Sequence, residues 1–358
     1  MKKSLVLMAL AGVALASCVN DVADVAQNEQ KKALIGFQSP VIYQNATSRY
    51  VAGEIDGTTY PTDENFMVAA RTTADPADNW DAGTNYWGED ADDFLKVSYV
   101  GTPGGWKTAE DYYWPTYELS FVAYSPAELV GTNLTSVEYT NAGWNFKGFV
   151  VPDDQDEKID LLYSDLITGK KGNTTIADDL GGYYGVPVVF KHALSSIHFK
   201  VVKAATVDAE VKLGTITISG VKNKGNFKVN SNGPAWEAAT DAKATAYEPY
   251  KVAGGGLVFT DAQAAVGTDD ENSLLLMPQG LGDVTMVVTY YVNGVQKTTS
   301  PISLNNLKEN NEAPAITAWA PGTRYTYILN YSALAEDLIY FAPSVTDWTD
   351  VSLTINLD

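Results

Sequence analysis

The sequence predicts an all-β protein built from β-sandwiches. Apolar residues fall in short runs rich in Val, Ile, Tyr, Phe and Thr, the types that pack well on a pleated surface. Gly, Asn, Asp and Pro punctuate those runs at short intervals. Tyr291-Val292-Asn293-Gly294-Val295-Gln296 reads as a strand, an Asn-Gly turn and a return strand, a turn whose two central residues both need positive φ. Many short strands with frequent turns fit sandwiches better than a parallel α/β sheet, which needs a helix between successive strands.

The chain opens with an address. Lys2 and Lys3 precede an uncharged apolar run over residues 5–15. That run is shorter than the roughly 20 residues a bilayer span needs, and it suits an export signal. It ends in Leu15-Ala16-Ser17-Cys18, the lipobox pattern of bacterial lipoproteins. Residues 1–17 are therefore expected to be a signal peptide, with Cys18 the lipidated new N-terminus. Residues 18–32 are polar and lack apolar periodicity, as in a flexible tether. No later stretch is long and apolar enough to span a bilayer, so the chain reads as exported or anchored.

Beyond the tether, strands are expected over residues 118–124, 186–190, 196–202, 213–219 and 284–292. Short helices are expected at 174–181 and 259–266. An aromatic, loop-rich half gives way to a more regular half, which places one domain over 33–192 and a second over 193–358. No internal repeat is visible.

Composition removes several classes of function. The 358 residues hold 44 acidic and 24 basic side chains, a formal charge of −20, which repels a phosphate backbone and excludes nucleic acid as a partner. One Cys excludes an internal disulfide framework, a zinc ribbon and an iron–sulfur centre, and 2 His leave little for any other metal site. No nucleophile elbow, P-loop or dinucleotide fingerprint occurs, so neither a catalytic residue nor a cofactor is expected. His192 and His198 share parity and would face one side of a continuous strand, where they read as structural histidines. Acidic runs at 90–93, 153–157 and 269–271 lack EF-hand spacing and read as solvated loops.

Trp80, Trp87, Trp106, Trp114 and Trp144, with Tyr86, Tyr112, Tyr113 and Tyr117, crowd the first half. Such rings fill cores and also stack on sugars. Those beside Gly or Pro, Trp106 among them, are expected to be the more exposed. They keep a surface-exposed glycan-binding lipoprotein open as the alternative function.

Residues 187–194, 274–279, 319–327 and 339–348, four segments in this order, resemble the Mfa-like fimbrillins, the lipoprotein subunits of type V pili. Pro187-Val188-Val189-Phe190-Lys191-His192-Ala193-Leu194 is similar to that family's Phe-x-His-Ala-Leu segment, and Leu274-Leu275-Leu276-Met277-Pro278-Gln279 to a strand end. Trp319-Ala320-Pro321-Gly322-Thr323-Arg324-Tyr325-Thr326-Tyr327 resembles its late strand. Ile339-Tyr340-Phe341 followed by Val345-Thr346-Asp347-Trp348 resembles its closing segment.

The resemblance implies two tandem transthyretin-like β-sandwich domains, anchoring to the outer membrane through the lipid on Cys18, and a place in a cell-surface fimbrium. It implies other pilus subunits as partners, in a homo- or hetero-polymer, and a host or glycan ligand for an adhesive subunit. It also implies an arginine-specific protease that cuts after an Arg following the first strand. That strand leaves with the lipid, and a neighbour's strand fills the vacated groove. Here Ala33, Ile35 and Phe37 alternate in the removable first strand, and Arg49-Tyr50 is the candidate cut. Of the other arginines, Arg71 abuts an apolar run at 66–70 and Arg324 lies inside an expected strand. Val351, Leu353, Ile355 and Leu357 alternate with polar residues to the end of the chain. They read either as a donor strand or as the closing strand of the second domain.

Overall fold

The computed structural model describes residues 34–42, 60–87, 94–101, 105–172, 185–267, 272–305, 307–308, 315–332 and 349–356. Strands dominate them, with two 3-10 turns at Trp80–Ala82 and Gln155–Glu157. Four of the five expected strands are present as Leu119–Ser125, Ser195–Lys203, Val211–Lys222 and Thr285–Val292, whereas the one expected at 186–190 forms later in the chain, as Val189–His192, with Val186 in an isolated bridge. The hairpin is present too: Asn293 has φ 49° and Gly294 φ 79°. Its turn is tied down by Asn293, whose N–H donates to Glu210 O at 2.9 Å and whose Oδ1 accepts from Glu210 N at 3.0 Å.

An eight-stranded sheet occupies the first half. Its order is Val41–Ile42, Val189–His192, Leu162–Ser164, Leu119–Ser125, Phe66–Thr72, Leu95–Tyr99 and Trp106–Thr108, with Ile167–Lys170 also paired to Leu119–Ser125. The pairing of Val41–Ile42 is parallel, whereas the other ladders are antiparallel. The central strands are buried on both faces. From Leu119–Ser125, Leu119, Phe121 and Ala123 enter one core, while Val122 and Tyr124 enter another. From Phe66–Thr72, Phe66, Val68 and Ala70 enter the first core and Ala69 the second. A strand covered on both sides needs a continuous apolar run, and Phe121-Val122-Ala123-Tyr124 supplies one. The sheet is thus a wall between two cores.

The larger core is shared by both halves of the chain. Gly143–Val150 of the first half pairs with Lys224–Asn230 of the second, in a four-stranded sheet with Ser136–Thr140 and Gly233–Ala238 at its edges. Phe146 and Phe227 are partners across that ladder, with ring centroids 5.9 Å apart. Two further sheets close the core. One runs Ala264–Ala265, Ser195–Lys203, Thr323–Tyr331, Thr349–Asn356, and the other Ala244–Lys251, Val211–Lys222, Thr285–Val292, Val295–Thr298. Ile197, Phe199, Tyr325 and Tyr327 from the former and Leu213, Ile216, Met286 and Val288 from the latter all enter it. The buried Trp319 indole is satisfied within this core, its Nε1 donating to Tyr327 OH at 3.0 Å.

Three sequence expectations need comment. The helix expected at 259–266 is not formed: Ala264–Ala265 is a strand on the edge of Ser195–Lys203, and Val266 N donates to Phe199 O. Sheet pairing outweighs the helix propensity of a few alanines. His192 and His198 are not on one continuous strand, because Ala193 and Leu194 separate Val189–His192 from Ser195–Lys203. The division at 192/193 falls on that link, yet the four-stranded sheet and the larger core both run across it. The helix expected at 174–181 lies outside the described residues.

Buried phenols make the fold sensitive to alkali. Burial, assisted by the charge of Asp165, pushes Tyr139 and Tyr163 up to about 12, from an ordinary value of 10.0. Burial also raises Tyr124 and Tyr247. The unfolded chain ionises first, so this contribution to stability is complete below pH 10.0 and is lost as pH rises toward about 12. Denaturant midpoints should fall across that interval, and Tyr163→Phe should flatten part of the fall. A midpoint that does not move would contradict the burial of these groups.

Candidate functional site

Residues 34–42 form the most consequential local structure. Ile35, Phe37 and Ile42 are buried, each at 5% exposure or less. The Phe37 ring meets Phe66 and Phe121 edge-on, at 5.7 Å and 6.2 Å between centroids. Its backbone is engaged on both sides. Toward residues 185–190 the segment runs parallel: Val186 N donates to Gly36 O at 2.8 Å, Gln38 N to Val186 O at 3.1 Å and Val41 N to Val188 O at 3.0 Å. Toward residues 106–113 it runs antiparallel: Ile35 N donates to Tyr112 O at 2.7 Å and Phe37 N to Trp106 O at 2.9 Å.

Trp106–Thr108 is the last strand at one edge of the eight-stranded sheet, and Val189–His192 lies next to the other edge. The segment therefore closes the sheet on itself. Take it away, and two rows of backbone groups lose their partners. The core of Tyr60, Phe66, Trp106, Phe121, Val186, Val188 and Phe190 also loses its cover.

Two local features fix the slot. Gly185 has φ +82°, and a Cβ there would lie 2.4 Å from both Phe37 C and Gln38 N, so glycine alone lets the two backbones approach. Tyr60 anchors the far side. Its N–H donates to Pro40 O at 3.1 Å, its hydroxyl lies 2.6 Å from Ser125 Oγ, and its ring packs 5.3 Å from Trp106 and 5.4 Å from Phe190.

Of the expected site residues, the slot holds Ile35 and Phe37. Cys18, Ala33, Arg49, Tyr50 and Leu357 lie outside the described residues. Strand Thr349–Asn356 pairs in parallel with Thr323–Tyr331, from Thr323↔Thr349 to Asn330↔Asn356, at the edge of its sheet. The two other arginines are both engaged in the fold. Arg71 is buried, donates from Nε to Asn85 Oδ1 and from Nη1 to Trp80 O, and lies 5.0 Å over the Trp80 ring. Arg324 is half-buried within Thr323–Tyr331.

The two histidines are hydrogen-bonded within the fold. His192 is buried, with Nδ1 2.9 Å from Asp160 Oδ2, and Ser196 Oγ lies 2.7 Å from His198 Nε2. Among the described residues, no group of three or more His, Cys, Asp or Glu side chains is placed to hold a metal. The acidic runs at 90–93 and 269–271 lie outside the described residues. Trp106, expected to be exposed beside its glycines, is 1% exposed at the centre of the smaller core. Gly105, at φ 63°, lets the chain turn, while the ring is drawn inward by apolar burial. Trp80, Trp87, Trp114 and Trp144 are buried as well, leaving Tyr113 and Tyr117 as the exposed rings of this group.

Sequence reasoning missed three parts of the slot: Tyr60, Trp106 and Gly185. The only signals were an aromatic before Pro61, a Trp after glycines and a Gly before the run Val186-Pro187-Val188.

Comparison with known proteins follows the same lines. A family model described as fimbrillin-like matches residues 62–348. A solved fimbrial protein from Bacteroides vulgatus superposes with a TM-score of 0.54 at 18% identity, covering 84% of this chain and 95% of that one. A proposed cell adhesion protein from Bacteroides uniformis gives a TM-score of 0.47 at 15% identity, over 90% of this chain and 97% of its own. The first likeness shows a shared fold. No curated protein matches the chain.

The slot makes two mutational expectations. Phe37→Ala should lower stability by about 3–5 kcal/mol, as truncation of a buried Phe does elsewhere, measured by equilibrium denaturation. Gly185→Ala should drive the 37–38 backbone away while leaving the larger core folded. Limited proteolysis should then cut near residue 40 at least several-fold faster than in the parent, and an unchanged rate would show that the close approach is dispensable.

Proposed function

This chain belongs to the fimbrillin-like family, and we propose that it is a pilus subunit, exported as an outer-membrane lipoprotein through Cys18 and polymerised by proteolysis-triggered strand exchange. The observation that carries this reading is the placement of residues 34–42, which pair with both edges of one sheet and cover its core. A segment in that position is a removable plug. An arginine-specific protease cutting between Arg49 and Tyr50 would leave it held by non-covalent contacts alone. Tyr60 lies beyond the cut and stays with the body, keeping one wall of the slot in place.

The vacated slot demands a replacement. Burying one large apolar side chain is worth about 1.5–3 kcal/mol, and the plug buries Ile35, Phe37 and Ile42 together with its backbone bonds. An incoming strand with one apolar face restores both contributions at once. Val351, Leu353, Ile355 and Leu357 of a neighbouring subunit supply such a face. Among the described residues, Thr349–Asn356 pairs with Thr323–Tyr331 alone, so its departure interrupts a single described ladder. The engagement of Arg71 and Arg324 in the fold supports Arg49 as the cut. The fimbrial description of the Bacteroides vulgatus structure accords with this role.

The test is trimming of the lipid-free chain with an arginine-specific protease. Cleavage after Arg49 should yield a ladder of oligomers that survives on an unboiled denaturing gel. Arg49→Ala should fold normally and stay monomeric. Persistent monomers after complete cleavage would remove strand exchange, and equal oligomer yield from Arg49→Ala would remove Arg49 as the switch.

A further inference from the structure

The plug carries one residue more than its wall. Phe37 pairs with Val186, yet Val41 pairs with Val189 and Ile42 with Phe190. From Phe37 to Val41 is four steps, whereas from Val186 to Val189 is three. The extra residue falls within Gln38-Ser39-Pro40, where Gln38 and Ser39 are exposed and Pro40 returns to the interior. This is a β-bulge in a parallel pairing, an uncommon arrangement.

The burial pattern shows why the bulge is needed. The wall buries Val186, Val188 and Phe190 at strict intervals of two. The plug buries Ile35 and Phe37, then Pro40 and Ile42, so its interval stretches to three in the middle. Threaded as a regular strand without the bulge, the same sequence would turn one pair or the other outward. Pro40 also brings no N–H to the ladder.

Resting on the strand-exchange reading, we propose that the plug is a mismatched occupant and that the slot is matched to a strand of unbroken period two, namely residues 351–357 of a second copy of this chain. Val351, Leu353, Ile355 and Leu357 keep that period without a break. The same strand already holds an eight-residue ladder beside Thr323–Tyr331 with no register shift, so its sequence imposes no bulge. The mismatch also explains the order of events. While residues 34–42 are tethered to the body, their high effective concentration keeps them in the slot despite the poorer fit. Cutting the tether removes that advantage and leaves quality of fit to decide.

The experiment uses the lipid-free chain trimmed after Arg49 and three fluorescent peptides. The first has the sequence of residues 349–358, the second that of residues 33–43, and the third is the second with Ser39 deleted. Displacement of the resident plug is followed by anisotropy. The first peptide should bind at least about tenfold more tightly than the second. Deleting Ser39 should recover most of that difference, because it restores the interval of two. Equal or tighter binding by the bulged peptide, or no gain on deleting Ser39, would overturn the mismatch while leaving strand exchange standing. Failure of every peptide to bind would overturn strand exchange itself and the mismatch with it.

Discussion

Two rows of backbone groups meet on residues 34–42, and the first half of the molecule depends on that meeting. Without it, the eight-stranded sheet ends at Trp106–Thr108 on one side and Val189–His192 on the other. An open sheet needs its edges covered or charged to avoid unwanted pairing. Here the same nine-residue stretch, 34–42, satisfies both edges and also lays Ile35, Phe37 and Ile42 over the aromatic core. Backbone pairing and apolar burial are thus not separable at this site. Whatever occupies it must provide both.

The wall between the two cores explains how such a site is tolerated. Leu119–Ser125 and Phe66–Thr72 are buried on both faces. One face depends on the plug. The other packs into the larger core, to which Trp144, Phe146, Phe149 and Phe227 contribute across the four-stranded sheet. Loss of the plug uncovers one side of a sheet whose other side remains fully packed. The larger core draws residues from both sides of residue 192.

Much of this was legible in the sequence, and the reasons differ by residue. Period-two runs and the Asn293-Gly294 turn identified strands and a hairpin because their signals are local. Ile35 and Phe37 were legible as one face of a first strand for the same reason. The slot was not. Trp106 beside its glycines suggested exposure, and only the long-range pairing of Phe37 with Trp106 reveals that the ring is interior. The role of Gly185 has no local signal, since nothing nearby in the sequence says that another backbone passes 2.4 Å from its missing Cβ. The helix expected at 259–266 failed because an edge position on Ser195–Lys203 offered partners that an isolated turn of helix lacked. Bulges, too, are invisible until the partner strand is known.

A strand bonded along both of its edges has a mechanical property that a strand with one neighbour does not. The bonds at Gly36, Gln38 and Val41 on one side, and at Ile35 and Phe37 on the other, all lie across the strand's own axis. A pull along that axis loads them in shear and together, whereas a pull on the outermost row of an open sheet can unzip bonds one at a time. A filament whose joints are built from this slot would therefore hold under drag and part only by sliding.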